Sequence, residues 1–250
     1  MASSELSAEE NISQLEELFE VDPTEYGSEL IAALIDMSRN LITAGRFDGA
    51  MFHASRAVDI SRQIGFAEAE SILPKLAAVL TTLGTKLATV DRISEAIAAT
   101  QEAVDLRRQL ARRDPEAYQH RLAMSLTQLS NQLDCAARKA EALSVSLEAI
   151  RLFRSVAAAP GETEEVVLRG LATALILAGY EFRTAGNSVA STASFTEAVD
   201  LLHQINDPEL EMQTLYALAE ACEYQENLDD ADNIYRRMLA LSNQFDDGSN

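Results

Sequence analysis

Tryptophan is absent from this 250-residue chain, cysteine occurs twice and proline five times. Cys135 and Cys222 stand 87 residues apart, so no disulfide framework is expected, and neither has a second Cys or a His at a metal-ligand spacing. Basic residues are scarce, 20 Lys and Arg against 40 Asp and Glu, for a formal charge of −20. That charge repels phosphate backbones and anionic headgroups, which makes nucleic acid and bare membrane poor partners. No apolar run approaches the ~20 residues a bilayer requires, and the opening MASSELSAEE lacks the basic and apolar segments of a secretory leader. The expectation is a soluble protein of the reducing cytoplasm.

Catalytic patterns are missing as well. His53, His120 and His203 are scattered, and none pairs with Cys, Asp or Glu at a spacing that aims both at one point. There is no Gly-rich phosphate loop, HExxH helix or GxSxG elbow. No catalytic, cofactor or metal residues are therefore expected. His53 reads as a packed or solvated side chain of a helix, and the cysteines as small, partly buried apolar groups.

What the chain does contain is a repeat. Met37 to Gly65, Leu83 to Ala111 and Leu129 to Ala157 superpose without a gap at an offset of 46. In each copy a small residue (Ser38, Gly84, Ser130) is followed twelve later by Ala50, Ala96 or Ala142, and seven after that by Ala57, Ala103 or Ala149. Leu76, Leu80, Leu83 and Leu87 form one apolar helical stripe, and Ile93 to Leu110 carry a second. Each copy is thus a helical hairpin. Proline is tolerated in the first turn of a helix, so Asp22-Pro23 and Asp114-Pro115 mark hairpin starts. Small residues belong where backbones approach, with Leu and Phe filling the space around them.

Two further copies change the spacing. Leu171 to Leu201 matches Leu122 to Leu152 at 49, with Gly179, Ser191 and Ala198 at the small positions; Leu215 to Met238 follows at a further 40, with Ala219 and Ala231. Pro160-Gly161 lies in the longer connection before the fourth copy. The expected layout is a disordered segment 1–7, a capping helix over 8–21 through Ile12, Leu15, Leu18 and Phe19, one solenoid over 22–245, and a disordered 246–250. Its repeats cover about 22–66, 67–113, 114–159, 160–205 and 207–245.

With the small and large positions in place, the pattern resembles the tetratricopeptide repeat (TPR), whose signature is Leu-Gly in the first helix and two Ala in the second. Leu80, Leu83-Gly84, Leu87, Ala96 and Ala103 carry the resemblance, which covers about residues 22–245. The period of 46 rather than ~34 is similar to the extended variant of kinesin light chains and large bacterial and fungal signalling proteins. The position usually held by a large aromatic is Ala54, Thr100 and Ser146 in three copies, and only Phe195 and Tyr235 restore it. The resemblance implies an all-α, right-handed α-solenoid of about five helix-turn-helix hairpins with an N-terminal capping helix.

It also implies that first helices line a concave groove. The first two copies would present Ala32, Ile35 and Arg39, then Ala78, Thr81 and Thr85, a small and largely uncharged surface. The later copies would present Thr127, Asn131 and Asp134; Thr173, Ile176, Tyr180 and Arg183; then Gln213, Tyr216, Glu220, Glu223 and Tyr224. From Thr184 to Tyr235 there is no Lys or Arg. Tyrosines beside carboxylates in such a field suit a basic segment of another protein or peptide. The expected binding residues are therefore Asn131, Asp134, Tyr180, Arg183, Tyr216, Glu220, Glu223 and Tyr224. Two alternatives stand beside this adaptor reading: a homodimer formed through Met238 and Leu239 near the chain end, and, on the resemblance alone, the sensor portion of a larger signalling switch.

Overall fold

The computed structural model describes residues 2–159 and 164–247, with side chains over 7–159 and 164–243. Pro160 and Gly161, placed by the sequence in a longer connection, and residues 248–250 lie outside the described part. Twelve helices are found among the described residues, and no strand. The chain divides into two compact units, Met1–Tyr118 and Gln119–Asn250, with the division falling inside one helix.

The first unit opens with α1 (Ala2–Val21), which begins before residue 8 and so includes part of the segment expected to be frayed. Ile12, Leu15 and Phe19 are buried on its inner face while Glu10, Gln14, Glu17 and Glu20 are exposed, so it covers the first hairpin and turns a polar side outward. That hairpin pairs α2 (Pro23–Thr43) with α3 (Phe47–Ile64). Asp22 opens it, its carboxylate accepting the backbone N–H groups of Thr24 and Glu25 at 3.1 Å each, with Pro23 at the start of the helix where its missing donor costs nothing. A one-turn helix, α4 (Phe66–Ala69), follows Gly65, whose φ of 90° breaks the chain direction. Ser28 Oγ donates to the Glu68 carbonyl and ties this turn to α2. The second hairpin is α5 (Leu73–Thr89) with α6 (Ile93–Arg113). α7 (Pro115–Cys135) begins in this unit.

In the second unit α7 pairs with α8 (Lys139–Ala157), α9 (Glu165–Thr184) with α10 (Ser188–Gln204), and α11 (Pro208–Tyr224) with α12 (Leu228–Asp247). The helices pack as sequential antiparallel pairs.

The repeated small residues are where the steric argument requires them. Ser38 and Ser130 are buried, and each hydroxyl donates to the carbonyl of the alanine twelve residues on, Ala50 and Ala142, at 2.9 Å in both cases. Without the hydroxyl those partnered carbonyls would lose a bond in the closely packed seam. In the fourth hairpin Gly179 takes this place because Phe195 fills the seam: a Cβ on Gly179 would lie 2.7 Å from the ring. The missing aromatic of the third copy is explained in the same way, since Ser146 bonds to Ser130 at 2.5 Å and occupies the joint with hydroxyls.

All five hairpin turns share one geometry. Gly45, Asp91, Ala137, Gly186 and Glu226 have φ between 57° and 76°, and each next residue donates its N–H to a carbonyl five positions back, as Arg92 does to Leu87 at 3.0 Å. Three of the five are not glycine and bear the strain of the left-handed region.

Candidate functional site

α11 carries a polar and aromatic surface. Its inner side is fixed by Leu215, Ala217, Leu218, Ala221 and Cys222, which pack with Phe195 and Val199 of α10 and Ala231 of α12. That burial leaves Tyr216, Glu220, Glu223 and Tyr224 at helical spacings of four and seven on the opposite side, Tyr216 53% and Tyr224 74% exposed. Helix α12 then brings in Tyr235, whose hydroxyl donates to Glu223 Oε1 at 3.0 Å. The bond to Glu223 raises the Tyr235 hydroxyl above its ordinary pKa, with burial and the charges of Glu223, Tyr216 and Glu220 adding to it. Tyr216, Glu220, Glu223 and Tyr235 therefore form one group.

α9 joins this group from the other side. Arg183 Nη1 meets Glu220 Oε2 at 2.8 Å and its guanidinium lies 5.0 Å over the Tyr180 ring. Tyr180 in turn stands edge-on against the buried Phe195, with ring centroids 5.1 Å apart. Six of the eight expected residues thus lie on α9 and α11, five of them in contact or on one stripe with Tyr235, and Tyr224 extends the stripe by a turn.

Asn131 and Asp134 do not join them. Asn131 is exposed on α7, and Asp134 belongs to a separate cluster with Lys139 of α8 and Glu181 of α9. Lys139 Nζ contacts Asp134 and lies 3.5 Å from Glu181 Oε1. Glu181 is 3% exposed and its Oε2 is buried without a hydrogen-bond partner. Burial first, and then the neighbouring Asp134 carboxylate, push Glu181 above the ordinary carboxylate range. Burial works against the Asp134 charge too, but its bond with Lys139 leaves that carboxyl below its usual value. This arrangement braces three helices internally. Ile35, placed by the sequence on the groove of the first hairpin, is 1% exposed and belongs to the core, because the apolar stripe of α2 is wide enough to include it. Cys135 is exposed rather than partly buried, since it is the last residue of α7, whereas Cys222 is buried.

The field around the α11 group is set by a second ion pair that the sequence did not disclose. Glu211, 2% exposed, accepts from Arg237 Nη2 at 2.6 Å and approaches His203 Nδ1 at 3.4 Å, so it joins α10, α11 and α12. Of the two basic residues after Arg183, Arg237 is thereby neutralised and Arg236 lies 3.9 Å from Asp232. The exposed carboxylates near α11 keep a net negative field. Two shallow grooves open on second helices: about 550 Å3 beside Val189, Thr192, Thr196 and Gln225, and about 460 Å3 beside Met51, Phe52 and Arg56. Neither contains an expected binding residue. Among the described residues no group of three or more His, Cys, Asp or Glu could hold a metal ion, and no helix is long and apolar enough to cross a membrane.

No family model matches the chain, nor does any curated protein sequence at a significant level. Solved structures do match. BtubC (BKLC) from P. vanneervenii superposes with a TM-score of 0.63 at 12% identity, over 96% of this chain and 90% of that one. The fold is that of a TPR-like repeat protein. A putative kinesin light chain from Podosopora anserina with nearly identical TPR-like repeats matches with a TM-score of 0.59 at 13% identity, over 88% of this chain and 98% of that one. The Rap conjugation gene regulator of plasmid pLS20, solved in complex with the Phr* peptide, matches with a TM-score of 0.52 at 13% identity, over 89% of this chain and 56% of that one. At these identities the likeness establishes the TPR-like fold over most of the chain and nothing finer.

Proposed function

We propose that this TPR-like chain is a non-enzymatic interaction scaffold that holds a basic segment of another protein on the first helices of its last hairpins. The observation that carries the reading is the convergence of Tyr216, Glu220, Glu223 and Tyr235, from two helices, in the stretch Thr184 to Tyr235 that holds no Lys or Arg. Tyrosine rings offer contact area at low entropic cost, and the carboxylates can each pair with an arginine. Tyr180 lies beside the same group as a further contact, while Arg183 orients Glu220 and Tyr180. A structural neighbour of the same fold carries a bound peptide, which supports a peptide-binding use of such hairpins.

The test is an array of 15-residue peptides graded by net charge, probed with the full chain at rising salt. Retained peptides should be positively charged, and binding should fall as salt rises through the range where the Debye length shrinks from about 10 Å to about 3 Å. Tyr216→Ala, Glu220→Ala and Glu223→Ala should each weaken it. Retention that is indifferent to peptide charge, salt and all three substitutions contradicts the reading.

A further inference from the structure

Within the second unit, the second helix of one hairpin packs onto the first helix of the next. Phe153 and Ile150 of α8 are 0% and 4% exposed, and the Phe153 ring lies 2.5 Å from where a Cβ on Gly170 of α9 would stand. In the following hairpin, Ile176 of α9 packs onto the cluster formed by Phe195, Val199, Leu215 and Leu218, and Arg183 reaches forward to Glu220 of α11. Advanced by the last repeat offset of 40, Ile176, Arg183, Phe195 and Val199 become Tyr216, Glu223, Tyr235 and Leu239. Phe195 and Val199 are 0% and 1% exposed, whereas Tyr235 and Leu239 are 37% and 65% exposed. Leu239 has no inward alternative, because Met238 beside it already packs on the core.

The geometry points to this outer face of α11 and α12 as a docking site for one amphipathic helix of another protein, carrying Arg or Lys, laid where the first helix of a further hairpin would lie. The inference rests on the preceding reading that the partner is basic, and it adds the partner's conformation and its place. Charge selects the occupant. At the internal junction the earlier hairpin supplies Arg183 and the later one supplies Glu220; at the outer face Glu223 stands in the arginine's position, so the cation must come from the occupant. A second copy related by a twofold axis would present the same face, with Glu223 where the arginine stands at the internal junction, and so would not supply that cation. Leu239, Tyr235 and Tyr216 supply the apolar contact for the helix stripe, and Glu223 its charged edge.

Three synthetic 20-residue peptides test this against the full chain by fluorescence anisotropy. The first has leucines at helical spacing with arginines outside them, the second the same residues scrambled to destroy the stripe, the third glutamates in place of the arginines. The first should bind about ten-fold or more tightly than the others, and Leu239→Asp, a substitution at an exposed position that leaves the helical circular dichroism unchanged, should weaken it about ten-fold. Glu223→Gln should weaken it several-fold. If the scrambled peptide binds as well and Leu239→Asp has no effect while Tyr216→Ala still does, the helix-docking inference fails and the basic-segment reading stands. If no arginine peptide binds the parent chain, both fail. Equal binding of the glutamate helix overturns the charge assignment, and a dimer in light scattering that Leu239→Asp dissociates would give the face to a second copy instead.

Discussion

Gly179 offers the sharpest check on the packing from which the surface is built. In an exposed helical position Gly→Ala stabilises, by about 1 kcal/mol. Here the added methyl would lie 2.7, 2.9 and 3.0 Å from Cε1, Cζ and Cδ1 of Phe195, well inside the ~3.5–4.0 Å separation of comfortable carbon contacts. The ring is fully buried and backed by Tyr180, so it has little room to retreat. Overpacking of this kind costs about 1–3 kcal/mol, and after the helix-propensity gain Gly179→Ala should destabilise by roughly 0–2 kcal/mol. Phe195→Leu alone opens a cavity and destabilises as well, but the double variant places the new methyl in the vacated space. The double-mutant cycle should therefore show a favourable coupling of about 1 kcal/mol. Urea unfolding followed by circular dichroism gives the midpoints. A stabilised Gly179→Ala, or strict additivity in the cycle, would show that α9 and α10 are not pressed together at this point.

Three other outcomes follow from local features. Ala137→Gly should stabilise by about 0.5–1 kcal/mol in the same unfolding assay, because its φ of 57° strains any residue with a Cβ, whereas Gly186→Val should destabilise by at least about 1 kcal/mol. Ser130→Ala removes hydroxyl bonds to the Ala142 carbonyl and to Ser146 and should cost about 1–3 kcal/mol in a joint closed to water. Glu181, with its folded pKa raised above 4.5, binds its proton more tightly folded than unfolded, so its contribution is fully present below the ordinary carboxylate range and is lost as pH rises through the raised value. Stability of the parent chain measured from pH 4 upward should fall relative to Glu181→Gln, and parallel curves for the two would contradict the assignment.

Much of the fold was legible because the packing leaves a steric record at fixed intervals. Ser38 and Ala50, or Ser130 and Ala142, are twelve apart because that spacing returns the chain to the same crossing through one hairpin turn. The turn itself was less legible, since Asp91, Ala137 and Glu226 hold the left-handed position without glycine. The short α4 and the start of α5 at Leu73 were hidden because Gly65 interrupts the helical pattern there. Nothing in composition marks the division of the chain inside α7. The face of α11 could be read from the spacing of Tyr216, Glu220 and Glu223, but its partners could not. Tyr235 and Arg183 reach it from other helices, and Glu181 claims Asp134, through contacts that one-dimensional periodicity does not encode.

The central claim, that the last hairpin carries the binding surface, is tested most directly by amide hydrogen exchange on the full chain with and without the arginine-bearing amphipathic peptide. Slowed exchange confined to residues 208–243, with residues 23–113 unchanged, is the expected result. Protection that falls on residues 23–113 instead, or none at saturating peptide, would contradict it.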